Sequence, residues 1–287
     1  MSRIAYVNGR YLPFRDAKVH VEDRGYQFGD GVYEVCEVRG GRLIDERRHL
    51  DRLKRSLAEL RIRLPISLAV LDVVLREVVA RNRIGYGIVY LQITRGVARR
   101  DHAFPAPAVR PSIVVTARAL NSTRNETLAA AGIAVVSVPD CRWGRVDIKT
   151  IGLLPNVLAR QAAIEQGARD AWFVDKDGNV TEAASANAWI VTAAGAIVTR
   201  PADRAILRGI ARAVVLEAAK AQGLVVEERP FTLEEAYAAR EAFVTAASQL
   251  VLPVVRIDGR LIGDGKPGPV ATALRDLFHR YAETGSP

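Results

Sequence analysis

The sequence predicts an α+β protein built as two domains. Three observations lead there. At 287 residues the chain exceeds what one ordinary core spans, strand and helix patterns alternate along its length, and a polar stretch interrupts them near residue 123. Hydrophobic residues at 49% and charged residues at 25% make a globular composition, which excludes a disordered, collagen-like or coiled-coil chain.

The first element is a hairpin, Ile4–Val7 and Arg10–Pro13 around Asn8-Gly9, because both turn residues tolerate positive φ. A second hairpin runs from Val32–Val38 through Gly40-Gly41 into Arg42–Ile44. Leu50, Leu53, Leu57 and Leu60 then recur at helical spacing. Ser67 caps a further helix that turns Leu71, Val74, Leu75, Val78 and Val79 inward and ends near Asn82. Ile88–Thr94 and Ser112–Ala119 read as strands, and the proline- and arginine-rich loop between them is long enough to suggest a function of its own. The stretch Asn121-Ser122-Thr123-Arg124-Asn125 reads as a linker, so the expected domains are 1–120 and 126–287, joined by 121–125.

Beyond the linker, Ile133–Val138, Ala171–Val174 and Ala242–Thr245 are predicted strands, and Val157–Gln166, Gly209–Gln222 and Val270–Tyr281 predicted helices. Hairpins are expected at Ala188–Thr199 and around Asp258-Gly259. No internal repeat or low-complexity segment is present. A seam between two such domains is a common place for a cofactor.

Several function classes lose their support. No apolar run approaches the roughly 18 residues of a membrane span. The chain enters its first hairpin at Ile4 with no signal-like apolar stretch before it, and its two cysteines, Cys36 and Cys141, make neither a disulfide framework nor a zinc site, so a cytoplasmic location is expected. The net charge of +9 comes mostly from arginines scattered evenly, which argues against a nucleic-acid stripe. Dinucleotide, P-loop, GxSxG and HExxH signatures are absent, and His20, His49, His102 and His279 show no metal spacing.

Lysine placement is more informative. The chain has six lysines, and five of them fall in turns or on polar helix faces. Lys149 instead lies in Val146-Asp147-Ile148-Lys149-Thr150-Ile151-Gly152-Leu153-Leu154, where desolvation would favour the neutral amine that attacks a carbonyl. A lysine at a strand end with its ammonium in water accounts for the pattern too, and composition alone favours that reading. Glu182 precedes a run of small residues ending in Asn187, which suits a flat ligand or an ordinary strand end. Arg100-Asp101-His102 offers two donors fit to grip a carboxylate, or a solvated cluster on a loop.

Six motifs in order narrow these alternatives. They are Asp23-Arg24-Gly25-Tyr26-Gln27-Phe28-Gly29-Asp30-Gly31-Val32-Tyr33-Glu34, His49-Leu50-Asp51-Arg52-Leu53, Gln92-Ile93-Thr94-Arg95-Gly96, Asp147-Ile148-Lys149, Asn179-Val180-Thr181-Glu182 and Ile206-Leu207-Arg208-Gly209-Ile210. Together they resemble the class IV (fold type IV) pyridoxal-phosphate aminotransferases over essentially the whole chain, most closely the D-amino-acid branch. The resemblance implies a smaller N-terminal α/β domain, a larger barrel-like C-terminal one, and pyridoxal 5'-phosphate (PLP) in the cleft between them.

It also implies roles for single residues. Lys149 would be the Schiff-base lysine and then the base that moves a proton, Glu182 the partner of the pyridine nitrogen, and Arg52 a phosphate ligand. The N–H groups of Ile210 and Ala211 would add phosphate donors at a helix N-terminus, and Leu207 would pack on one ring face. Tyr33 and an Arg-x-His pair matching Arg100 and His102, the pair supplied by the neighbouring subunit of a homodimer, would hold the substrate carboxylate. The implied reaction is transamination of D-amino acids such as D-alanine or D-glutamate with 2-oxoglutarate or pyruvate. A branched-chain L-amino-acid aminotransferase or an aminodeoxychorismate lyase of the same fold is the alternative. The chain departs from the family at Ala211 and Ala246-Ala247, where hydroxyl side chains are usual near the phosphate, so weaker cofactor binding is expected.

Overall fold

The computed structural model describes residues 3–284; residues 1–2 and 285–287, the outer ends of the two expected domains, lie outside the described residues. The chain divides into two compact units. One holds the residues up to Asn121, the segment Ile148–Gly152 and those from Glu283 on; the other holds Ser122–Asp147 and Leu153–Ala282. Among the described residues no helix is long and apolar enough to cross a membrane.

The first unit contains β1 (Ile4–Val7), β2 (Arg10–Pro13), α1 (Arg24–Phe28), β3 (Gly31–Arg39), β4 (Arg42–Leu43), α2 (Glu46–Glu59), α3 (Leu68–Arg81), β5 (Tyr86–Thr94) and β6 (Ser112–Ala119). Asn8 and Gly9 turn the first hairpin at φ of 47° and 99°. The strands form one sheet in the order β2-β1-β6-β5-β3-β4, and β3 lies antiparallel on β5 from Gly31 opposite Thr94 to Arg39 opposite Tyr86.

Alternation along β3 and β5 sends Val32, Glu34, Cys36, Val38, Val89, Leu91 and Ile93 to one buried face, and Tyr33, Val35, Tyr90 and Gln92 to the other. The core lies between the first face and the helices, with Leu53 and Leu57 of α2 and Leu71, Leu75 and Val78 of α3. The Ser67 hydroxyl accepts from Val70 N at 3.3 Å and starts α3 where the sequence places it.

The second unit contains α4 (Ser122–Ala131), β7 (Ile133–Pro139), α5 (Leu154–Glu165), β8 (Asp170–Val174), β9 (Val180–Ala183), β10 (Asn187–Val191), β11 (Ile197–Thr199), α6 (Ile210–Ala221), β12 (Val226–Glu228), α7 (Leu233–Tyr237), β13 (Glu241–Ala246), β14 (Leu250–Ile257), β15 (Arg260–Leu261) and α8 (Pro269–Tyr281). Residues 122–125, expected to be irregular linker, are instead the first turn of α4.

The sheet runs β12-β11-β10-β13-β14-β7-β8-β9 and curls into a half-barrel. Both of its faces are covered at β9 and β10, which have no exposed residue, whereas β12 at one edge has two. Trp172, Ala188 and Ile190 belong to a core with Phe231 on one side. Their chain neighbours Trp189 and Val191 meet α6 and α8, and Ala171 and Phe173 belong to the cluster that includes Ala159 and Ala163 of α5.

Candidate active site

In the first unit the structure gathers Tyr33, Glu34, His49, Arg52, Ser56 and Lys149. Lys149 is half-buried in the segment between β7 and α5. Its carbonyl accepts from Tyr33 N at 3.0 Å, its N–H donates to Ser56 Oγ at 3.3 Å, and its Nζ stands 4.1 Å from the centroid of the Tyr33 ring. Among the described residues no carboxylate pairs with the Lys149 side chain. Tyr33 in turn stacks on Tyr90 at 5.6 Å, and the Tyr90 hydroxyl donates to Gln92 Oε1 at 2.7 Å. Burial, with Tyr33 beside it, pushes the Tyr90 phenol up to about 12, so it stays neutral.

Glu34, one residue on, faces the opposite side of the sheet and meets α2. Arg52 grips it with Nε on Oε1 at 2.8 Å and Nη2 on Oε2 at 2.7 Å, and His49 Nδ1 lies 2.7 Å from Oε2. Burial alone would raise this carboxyl, but the Arg52 charge and the hydrogen bonds from Arg52 and His49 outweigh it and hold Glu34 at about 2. Burial pushes the His49 imidazole down, against the pull of Glu34. The arginine is thereby fixed and charged, as a phosphate ligand must be.

The second unit gathers a different set. Glu182 on β9 is 6% exposed, and its carboxylate accepts from three donors. Its Oε2 accepts from Asn187 Nδ2 at 3.0 Å and Leu207 N at 3.2 Å, while its Oε1 accepts from Arg142 Nη1. The same Asn187 amide donates to Leu207 O at 2.9 Å, so β10 and the chain before α6 are tied through one side chain. Helix α6 opens at Gly209 with no side-chain cap and no acid in its first turn, which leaves the Ile210 and Ala211 N–H groups and the helix dipole for an anion. Ala247 is half-buried in the turn that follows β13.

Arg100 and His102 stand exposed on the loop between β5 and β6. The two flank Phe28: the Arg100 guanidinium lies 4.8 Å from the ring centroid, and the His102 ring 5.5 Å from it. Buried Arg24 holds the loop by donating to Ala103 O at 3.2 Å and His102 O at 3.4 Å, and to Asp30 Oδ2 at 2.8 Å. Arg95 forks onto the same Asp30 at 2.7 and 3.0 Å and faces Phe104 at 3.6 Å. Among the described residues neither Arg100 nor His102 bonds to Tyr33 or Lys149.

Residues 31–257 match the amino-transferase class IV family. This chain belongs to that family. The D-alanine aminotransferase of Staphylococcus haemolyticus is 39% identical over 281 residues, covering 98% of each chain. A branched-chain amino acid aminotransferase of Escherichia coli superposes with a TM-score of 0.90 at 24% identity, over 98% of this chain and 94% of that one. A second branched-chain amino acid aminotransferase, solved with pyridoxamine 5'-phosphate, gives 0.88 at 26% over the same shares.

The aminotransferase side chains suit a phosphorylated pyridine aldehyde on physical grounds. Each unit by itself offers groups that such a molecule asks for: the first an amine and an ordered arginine, the second a buried acid that accepts from Asn187, Leu207 and Arg142 and an uncapped helix N-terminus. A Cβ added at Gly209 would sit 2.0 Å from Asn187 Oδ1, so any larger residue there has to displace the Asn187 amide. Ala211 is buried and brings no hydroxyl, so at that position backbone donors alone remain.

Sequence reasoning missed Arg142 and Asp140, the pair behind Glu182, and also Glu34, Ser56, Arg24 and Asp30. The available signal was a pair of charges, Asp140 and Arg142, directly after an apolar strand; both side chains are largely buried although Cys141 between them is exposed.

Proposed function

We propose that this chain is a PLP-dependent D-amino-acid transaminase that exchanges the amino group of D-alanine or D-glutamate with 2-oxoglutarate or pyruvate. The observation that carries the reading is the near-full-length identity with the Staphylococcus D-alanine aminotransferase. When bound, PLP supplies the carbonyl that takes up the amino group and a ring that accepts electrons from Cα.

The protein's own residues do the rest. Lys149 Nζ holds the cofactor and then takes the Cα proton, while the Tyr33 ring beneath it supports the ammonium. Glu182 pairs with the pyridine nitrogen and keeps it protonated. Arg52 and the N–H groups of Ile210 and Ala211, with the Ala247 turn, hold the phosphate, and Leu207 covers one ring face. Arg100 and His102 of a neighbouring copy grip the substrate carboxylate with Tyr33, which makes the working form a homodimer. Both cysteines are free thiols, which suits the cytoplasm.

Likeness to the branched-chain enzymes favours a second reading by shape, but at 24% and 26% identity it speaks for fold rather than substrate. A panel of D- and L-amino acids with 2-oxoglutarate and with pyruvate separates the two. D-alanine or D-glutamate is expected to turn over fastest; preference for L-leucine would overturn the assignment. Borohydride reduction and peptide mapping should place the pyridoxyl group on Lys149, and label on another lysine would reject it.

A further inference from the structure

The buried charges behind Glu182 form a chain. Arg142, with 4% of its side chain exposed, reaches Asp140 with Nε on Oδ1 at 2.9 Å and Nη2 on Oδ2 at 2.6 Å. It also donates to Thr181 Oγ1 at 3.0 Å and Ala205 O at 3.2 Å, and its third nitrogen is on Glu182. The guanidinium plane lies 4.3 Å from the Phe173 ring centroid. Every nitrogen of the fork is thus engaged, which a lysine could not reproduce.

We propose that Arg142 is a positioning residue that keeps Glu182 ionised, so that the proton shared between Glu182 and the cofactor's ring nitrogen rests on the nitrogen. The inference rests on the reading of Glu182 as the ring-nitrogen partner. Its physical basis is a competition. Burial at 6% exposure favours a neutral carboxyl, in which case Glu182 would hold the proton and the ring would be a poor electron acceptor. The Arg142 charge, with the Asn187 and Leu207 donors, favours the carboxylate. Asp140 has a separate task. It neutralises Arg142, so the triad of Asp140, Arg142 and Glu182 keeps a net charge of about −1 toward the ring, where Arg142 and Glu182 alone would sum to zero. Thr181 locks the arrangement, since its hydroxyl donates to Asp140 Oδ2 at 2.7 Å.

The test uses holoenzyme reconstituted with PLP labelled with nitrogen-15 in the ring, whose NMR shift separates a protonated from a neutral nitrogen. Wild type is expected to show the protonated signal. Arg142→Met should move it toward the neutral position, and kcat should fall on the order of tenfold to a hundredfold, the equivalent of one charged hydrogen bond, with KM for the amino acid little changed. Arg142→Lys, which keeps the charge, should hold the signal near wild type. Because Arg142→Met leaves Asp140 buried without its cation, the double variant Asp140→Asn/Arg142→Met, which removes both charges together, serves if the single one fails to fold, and the same shift is expected. A ring nitrogen still protonated in the Met variants, or Lys and Met variants shifted alike, overturns the proposal. Glu182→Gln is the control on the underlying reading: if it too leaves the ring signal unmoved, Glu182 is not the partner, whereas movement with Glu182→Gln alone rejects only the role of Arg142.

Discussion

A carboxylate on the core face of a sheet meets a desolvation penalty of several kcal/mol unless it is paired. Glu34 is paired twice, by His49 and Arg52, which stand three residues apart on one face of α2. Because its folded carboxyl sits at about 2 against an ordinary 4.5, it binds protons less readily folded than unfolded. The stability this contributes is therefore full above about pH 4.5 and is lost as pH falls toward 2; the shift is worth on the order of 3 kcal/mol. Denaturant melts between about pH 5 and about pH 3 should show wild type losing stability along a limb that Glu34→Gln lacks. Equal slopes for the two proteins would remove Glu34 from the account. At this scale the sequence revealed residues whose type clashed with their neighbours, as Lys149 and Glu182 did among apolar or small side chains. Arg142 offered a weaker contrast, a charge just past an apolar strand and one of 41 basic residues, and only the fold shows that its side chain is buried.

Elements were legible where one face stays wet. The first hairpin is marked by its Asn8-Gly9 turn and α3 by a clear helical period, and both lie where the sequence placed them. The first turn of α4 was misread as linker because the helix buries only Ala129, so it has no apolar stripe, and its Ser-Thr-Arg-Asn start looks like a loop. Strand β9 was hidden for the opposite reason. All four of its residues are buried, yet two of them, Thr181 and Glu182, are polar because they serve a charged network. Gly209 shows how closely such elements are fitted. A methyl there would push Asn187 off both Glu182 and Leu207 O. Gly209→Ala should therefore weaken PLP binding by roughly tenfold to a hundredfold, the loss of one or two hydrogen bonds that involve a charged group. Equilibrium dialysis of cofactor from the variant measures this, and a dissociation constant within threefold of wild type would show that the neighbour yields without consequence.

For the whole molecule, the question left by the sequence is why a chain of net charge +9 should act on small metabolites. The structure shows where many of the arginines go. Arg24 and Arg95 share Asp30, Arg52 grips Glu34, Arg142 joins Asp140 to Glu182, and Arg212 reaches Glu228, all with side chains no more than about a tenth exposed. Arginine here fastens carboxylates and loops inside the protein, and along the sequence the remaining basic residues are scattered and not gathered into a run. Spread charge attracts a small anion weakly and is screened beyond a Debye length of about 10 Å at 0.1 M salt. The kcat/KM for D-glutamate should accordingly fall by less than about threefold between low and high salt, and the D-alanine value by less still. A steep decline with salt, parallel to a salt-sensitive shift of duplex DNA on a gel, would mean that the basic residues converge on a polyanion site after all. A shallow one fits scattered charge, with the proposed carboxylate grip of Arg100 and His102 acting only within contact distance of the substrate.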